Sequence, residues 1–600
     1  STTSYTNLRR RTLVDGHVAV QSNADGAHMV SSIKLRKRQW QLVIAGFAKD
    51  HTTLLTWDSG TISSEKLPPV KSASGSEFKS MYIAACGSND VIKNVFDGRI
   101  ASPQMWDHAL VAEEIQQMIS QELKAGLLVS VDFGDDQRSV AFTDEISGTT
   151  GELINMPTRG VTGPTWVGQV EAWSARPELY SAVHFHSDDL SDANWQITAE
   201  YPLPIELASG FYAIYLEAGD HEDWLTFIVT PSDTPSGDRL LILVPTLTYL
   251  AYANEPIFDP HVPLSRDLRD DWVKQQGLLS QYNWHKDGSG VAFASWRRPM
   301  MNLRPNYRYW LTGHPHGPGA DLYLTHWLES VGIEYDMITD HDLDKLGTDA
   351  LSSYRALATG CHPEYWTSNM LRVLAHFEEA GGRVAYLGGN GLAALVALHG
   401  EQPWVSEMRR RGDSVGLWDS DPGEAYFASD GHMGGSTRYQ YLRGRELIGV
   451  DITGMGFADG QPYTKTSAAT NPRASFVFKG VPESVIGDFG LHMGGAAGYE
   501  VDSADTRTGT PPHALVIASC DTVPPSYVQT EQRGAPRADM VFFETEGGGA
   551  VFSTSSITWT GSLSFENGNN PVSRITENVL RRFLDPKPFE YSRDLKGYIP

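Results

Sequence analysis

A short apolar run, Tyr354 to Thr359, leads directly into Gly360-Cys-His-Pro-Glu-Tyr-Trp366 and then into a helical pattern from Ser368 to Ala380. A strand that turns sharply into a helix belongs to open α/β sheets, which keep their chemistry outside the carboxyl ends of the strands. This turn carries a thiol, an imidazole, a carboxylate and a phenol within five positions. Gly360 and Pro363 are enough to explain a loop. They do not explain four reactive groups side by side, so the turn is a candidate functional site.

The surrounding sequence supports that fold class. Leu240-Leu-Ile-Leu-Val244 is a continuous apolar run, as expected of a strand buried on both faces. Further strands are expected at Val384 to Leu387, Ala514 to Ala518, Met540 to Phe543 and Val551 to Ser553. Helices are expected over 322–332, 368–380, 391–399 and 573–584. Alternating strands and helices predict a mostly parallel sheet. Residues 236–600 therefore read as an α/β domain with long insertions at 250–308 and 400–510.

A chain of 600 residues exceeds one core. Residues 1–165 read as all-β, with alternation at Trp40 to Phe47, Met81 to Ala85 and Leu127 to Phe133. The stretch from Phe96-Asp-Gly-Arg-Ile through Met105-Trp-Asp-His-Ala-Leu to Glu113-Glu-Ile resembles the last strands and closing helix of laminin-G or concanavalin-like β-sandwiches. Residues 166–235 read as a second, small β domain with strands at Trp195 to Tyr201, Gly210 to Leu216 and Trp224 to Val229. Pro231 to Asp238 has the composition of a linker.

Charge narrows the partners. With 48 basic and 73 acidic residues the net charge is −25, which argues against nucleic acid and anionic membranes. No run of 18 apolar residues predicts a membrane span. Three cysteines without metal spacing point to a reducing, cytoplasmic setting. The first residues, Ser-Thr-Thr-Ser-Tyr, contain no signal-peptide core, and without Met they need not be the native start.

The turn at Cys361 admits several chemistries. A thiol nucleophile would resemble class I glutamine amidotransferases, whose sheets this domain resembles, but those need a His-x-Glu pair far downstream. His376-Phe-Glu378 has that spacing, but it lies on the helix directly after the turn. His314-Pro-His316 reads as a loop shaping a pocket rim, with a shared metal as the alternative. His184-Phe-His186 with Asp188 and Asp189 reads as a solvated strand end, again with a metal cluster as the alternative. The 16 tryptophans and the N-terminal sandwich keep a glycan-binding or glycan-processing protein in view.

Six stretches carry a family resemblance: Pro157 to Trp166, His184 to Leu190, Ser209-Gly-Phe-Tyr-Ala, Gly360 to Trp366, Gly388-Gly-Asn-Gly and Val551 to Trp559. In this order they resemble the large subunits of bacterial N,N-dimethylformamidases. The resemblance implies a mononuclear Fe(III) held by two tyrosines and one glutamate, a hard donor set suited to that ion. Carried over by the family's spacing, these roles fall on Tyr323, Tyr365 and Glu446. It also implies hydrolysis of a small amide, N,N-dimethylformamide, to dimethylamine and formate, with iron polarising the carbonyl and activating water. His362 and Glu364 are the candidate acids, and Asn390 is a candidate donor to the substrate oxygen, its alternative role being that of a left-handed turn residue. A small second subunit and a hetero-oligomer are implied as well. The competing enzyme reading is a thiol amidohydrolase dependent on Cys361.

Overall fold

The computed structural model describes residues 8–14, 16–22, 28–58, 61–69, 81–88, 91–120, 123–231, 237–255, 267–411, 418–441, 444–529 and 535–592. Most of the expected linker, 232–236, lies outside the described residues. The chain forms two compact units, Ser1–Asp189 with Pro422–Glu424, and Leu190–Asp421 with Ala425–Pro600. It is a multidomain, β-rich chain with some helices.

The first unit is built from small antiparallel sheets. Leu8–Val14, His17–Ser22 and His28–Lys34 form one, and Leu42–Phe47, Thr52–Asp58 and Thr61–Leu67 another. Val18 and Leu54 are buried together, with Ile33, Val43, Ala45 and Phe47 packed around them. The expected strand at Met81 to Ala85 is absent; pairing starts only at Cys86–Ser88. The short return segment Pro422–Glu424 completes this unit. Buried Glu424 accepts hydrogen bonds from Arg99 Nη1 at 2.8 Å, Thr162 N at 2.9 Å and Thr162 Oγ1 at 2.7 Å.

The second unit centres on nine strands: β1 (Leu240–Val244), β2 (Tyr335–Thr339), β3 (Ala356–Thr359), β4 (Arg383–Tyr386), β5 (Tyr463–Lys465), β6 (Val485–Ile486), β7 (Leu515–Cys520), β8 (Ala538–Glu544) and β9 (Ala550–Ser553). Their order is β2-β1-β3-β4-β9-β8-β7-β5-β6. The first five pair in parallel and the rest antiparallel. The expected mostly parallel sheet is thus parallel over one half only. The reason is local: five residues join β8 to β9, long enough for a hairpin and too short for a crossover.

Alternate residues of β1 serve opposite cores. Leu240, Ile242 and Val244 join the cluster that holds Trp327 and Leu328 of α1 (Pro318–Val331) and Ile575 and Val579 of α3 (Pro571–Leu584). Leu241 and Leu243 join the cluster that holds Met370, Leu374 and Phe377 of α2 (Ser368–Glu379). This is the period-2 consequence of a strand covered on both faces. Pro318 starts α1 and Gly332, at φ 66°, ends it.

Two further expectations fail here. The segment 391–399 holds a strand, Ala394–Leu398, rather than a helix. Asn390 and Leu392 have φ of 51° and 52°, which no helix accommodates, and the run Ala-Leu-Val-Ala-Leu suits a buried strand equally well. Trp195 to Tyr201 forms no strand, and Pro202 and Pro204 follow it directly. The hairpin Gly210–Ala218/His221–Val229 does form. It docks in this unit through Ser209 Oγ, which accepts from Met337 N at 2.7 Å, and Thr226 Oγ1, which donates to Leu303 O at 3.1 Å. No helix among the described residues is long and apolar enough to cross a membrane.

Candidate active site

The candidate site lies where β1, β3 and β4 end. Gly360 N donates to Leu243 O at 3.3 Å, tying the turn after β3 to β1. Cys361 N donates to Asp321 Oδ1 of α1 at 2.7 Å. Thr248, on the helix Thr246–Ala251 after β1, accepts from Glu364 N at 3.0 Å and Tyr365 N at 3.2 Å. Gly388, after β4, passes so close that a β-carbon there would stand 2.5 Å from Cys361 O. Leu392 N and Ala393 N donate to Pro363 O and Glu364 O at 2.8 and 3.0 Å. The backbone on both sides of His362 is therefore held by neighbouring strand ends and helices.

These restraints bring buried polar side chains together. Tyr252 Oη donates to Glu364 Oε2 at 2.8 Å. Tyr282 Oη approaches the same carboxylate at 3.2 and 3.4 Å, and its ring centroid is 4.4 Å from that of Tyr252. Two phenol oxygens and one carboxylate thus converge. Tyr365 Oη lies 2.5 Å from Tyr282 Oη. Burial, and then the Glu364 charge, push both Tyr252 and Tyr282 well above the usual phenol range.

On the other side of Glu364 is an imidazole. His362 Nε2 is 3.1 Å from Glu500 Oε2 and 3.3 Å from Glu364 Oε2. The angles miss hydrogen-bond geometry, so these are ionic contacts; His362 Nδ1 and Glu500 Oε2 have no hydrogen-bond partner. Burial works against charge on His362, but Glu500 and Glu364 outweigh it and hold the ring up to about 10. Burial likewise opposes ionisation of Glu364, and His362 and Tyr252 reverse that, keeping it below the usual carboxylate range. Aromatic rings wall the cluster. His316 stacks on Tyr309 with centroids 4.4 Å apart and stands 5.8 Å from His362. Tyr309 Oη donates to Glu255 at 2.7 Å, and burial pushes that carboxyl up to about 8.

The residues singled out in the sequence fall into different surroundings. His362, Glu364 and Tyr365 belong to this cluster. Asn390 closes the neighbouring turn in the left-handed conformation, its N–H donating to Asp502 Oδ1 at 2.9 Å. Tyr323 stands elsewhere on α1, its hydroxyl 3.4 Å from Leu491 O and its ring stacked on His492. Glu446 is exposed on the short helix Gly444–Ile448. The Cys361 thiol is buried beside Asp321, and burial and that carboxylate push it well above the usual thiol range. His316 lines the cluster, whereas His314 pairs with His492 at 5.8 Å between ring centroids. His184 and His186 are buried rather than solvated, 4.2 Å apart in the first unit, with His186 Nδ1 3.1 Å from Asp189.

Tyr252, Tyr282, Glu500 and Arg410 were not singled out by the sequence. Only Tyr252 left a signal: it follows the first strand of an α/β domain, a position where ligands bind. Tyr282 and Glu500 come from the two long insertions.

A family model described as N,N-dimethylformamidase beta subunit-like, C-terminal, matches residues 158–572. The chain is 36% identical over 542 residues to the N,N-dimethylformamidase beta subunit of Paracoccus aminophilus, covering 84% of this chain and 70% of that one. It is 35% identical over 529 residues to the N,N-dimethylformamidase beta subunit of an Alcaligenes species, covering 82% of this chain and 69% of that one. A ThuA-like protein of Bacteroides uniformis shows 12% identity and a TM-score of 0.25 over 45% of this chain and 85% of its own. The family model spans the sheet that carries the cluster and the two beta subunits match more than four fifths of the chain, and the chain belongs to the N,N-dimethylformamidase beta subunit family.

Proposed function

We propose that this chain is the catalytic subunit of an iron-dependent amidohydrolase that converts N,N-dimethylformamide and related small formamides to dimethylamine and formate. The names of its relatives support the substrate. The observation that carries the metal is the convergence of Tyr252, Tyr282 and Glu364 on one buried point. Two phenols and a carboxylate are a hard oxygen set that fits a single Fe(III). These three take the ligand roles that the resemblance had suggested for Tyr323, Tyr365 and Glu446. When bound, a ferric ion polarises an amide carbonyl and eases ionisation of water.

The remaining steps belong to side chains. Glu500, whose Oε2 lacks a hydrogen-bond partner, accepts the proton of the attacking water. His362, held charged between two carboxylates, returns a proton to the departing amine nitrogen. Tyr309, Tyr499 and His316 exclude bulk water. The side-chain amide of Asn390 is the proposed donor to the substrate oxygen.

The same reading takes residues 1–165 as a concanavalin-like sandwich, 166–235 as a small β domain and 236–600 as an amidotransferase-like domain, on the strength of the antiparallel sheets of the first unit and the parallel strand ends of the second. It places the chain in the cytoplasm with a small second subunit, a partner supported by the relatives' designation as beta subunits.

The purified protein is expected to be coloured, with about one iron per chain, because phenolate bound to Fe(III) absorbs visible light. Chelation should remove colour and turnover together, and ferric iron should restore both. A colourless, iron-free and fully active preparation ends the metal reading. Cys361→Ser should keep most turnover, because a thiol pushed up by burial and Asp321 is a poor nucleophile. Loss of turnover in that variant, with iron intact, would favour the thiol amidohydrolase.

A further inference from the structure

Arg410 is a buried cation with no carboxylate in contact among the described residues. Its Nη2 reaches Gln281 O at 3.5 Å and Tyr365 Oη at 3.4 Å, and its Nε has no partner. The guanidinium lies over the face of Tyr282, 4.8 Å from the ring centroid, and 5.4 Å from that of Trp418. A charge removed from water needs compensation; aromatic faces and one carbonyl supply little of it, and the Glu364 charge acts on it only from beyond ion-pair distance. The group that both Arg410 and Tyr365 address is Tyr282: one covers its ring, the other meets its oxygen at 2.5 Å. Tyr252 has a different neighbour for its charge, the imidazole of His362 rather than a guanidinium over its ring. Its ring faces His316 and His362, with centroids 5.0 and 5.4 Å away.

We propose that Arg410 and Tyr365 are positioning residues that aim the Tyr282 oxygen at the iron and balance its negative charge, so that the two tyrosine ligands are electronically unequal. The inference rests on the metal reading above. A metal ligand of this type binds without its proton. Tyr365 then donates its hydroxyl hydrogen to the Tyr282 oxygen, and Arg410 supplies the positive charge that the buried anion lacks. Both effects lower the energy of the electrons that Tyr282 offers to the metal. Partners of this kind set the strength and direction of metal ligands in general.

The test is the visible spectrum of the iron-loaded protein, read with its iron affinity. Tyr365→Phe should bind stoichiometric iron while its absorption band moves to longer wavelength, because the donor electrons rise in energy. Arg410→Gln should move the band the same way and weaken iron binding by about 10–100-fold. Arg410→Lys, which keeps the charge but loses the planar face contact, should fall between the two and serves if the glutamine variant does not fold. An unmoved band in both Tyr365→Phe and Arg410→Lys, with iron retained, overturns the proposal and leaves both residues merely structural. A wild-type protein without any such band overturns the metal reading instead, and this proposal falls with it.

Discussion

Glu364→Gln is expected to lose nearly all bound iron and about a thousandfold in kcat, ~4 kcal/mol of transition-state stabilisation, with the fold intact. The amide keeps the shape of the carboxylate and most of its hydrogen-bonding capacity. It removes the charge on which Tyr252, Tyr282 and His362 all converge. Iron by elemental analysis, turnover of N,N-dimethylformamide and circular dichroism read the three parts separately. Glu446→Gln is the control. Its carboxylate is exposed, and exposed pairs contribute roughly 0–1 kcal/mol, so iron and turnover should both survive. Normal iron in Glu364→Gln together with iron loss in Glu446→Gln would return the ligand role to Glu446.

The second large effect concerns proton transfer. Glu500→Gln and His362→Gln should each lower kcat by about 10²–10⁴-fold while retaining iron. The double variant should be little worse than either single one, because a proton-transfer pair acts as a unit. His362 is buried between two carboxylates, so its loss removes the cation that both of them contact. A fall in thermal stability should accompany His362→Gln more than Glu500→Gln. Strictly multiplicative losses in the double variant, or loss of iron from Glu500→Gln, would sink the assignment of the pair.

The sheet was legible in the sequence where the chemistry of burial leaves no choice. Leu240 to Val244 is apolar at every position because both of its faces are covered, and the turn from Gly360 to Trp366 announced itself by composition. Segments without that compulsion misled. Residues 391–399 are apolar enough for either element, and the left-handed φ of Leu392, which no propensity foretells, decides for the strand. The cluster was half legible. His362 and Glu364 stand in one motif, whereas Tyr252, Tyr282 and Glu500 are spread over almost 250 positions and meet only after the insertions pack. The family resemblance, carried over by its spacing, pointed to Tyr323 and Tyr365 among 24 tyrosines, and spacing along a chain says nothing about which phenols face one carboxylate.

Glu424 gives the chain a problem of timing. The residues that its carboxylate satisfies, Arg99 and Thr162, leave the ribosome long before it does. At about 5–20 residues per second, the 235 positions between Asp189 and Glu424 take about 10–50 s to synthesise. During that interval the first unit lacks this acceptor for Arg99 and Thr162, and a fragment that ends at Asp189 lacks it permanently. The N-terminal unit is therefore complete only late in translation, once most of the second unit's sequence has already been made.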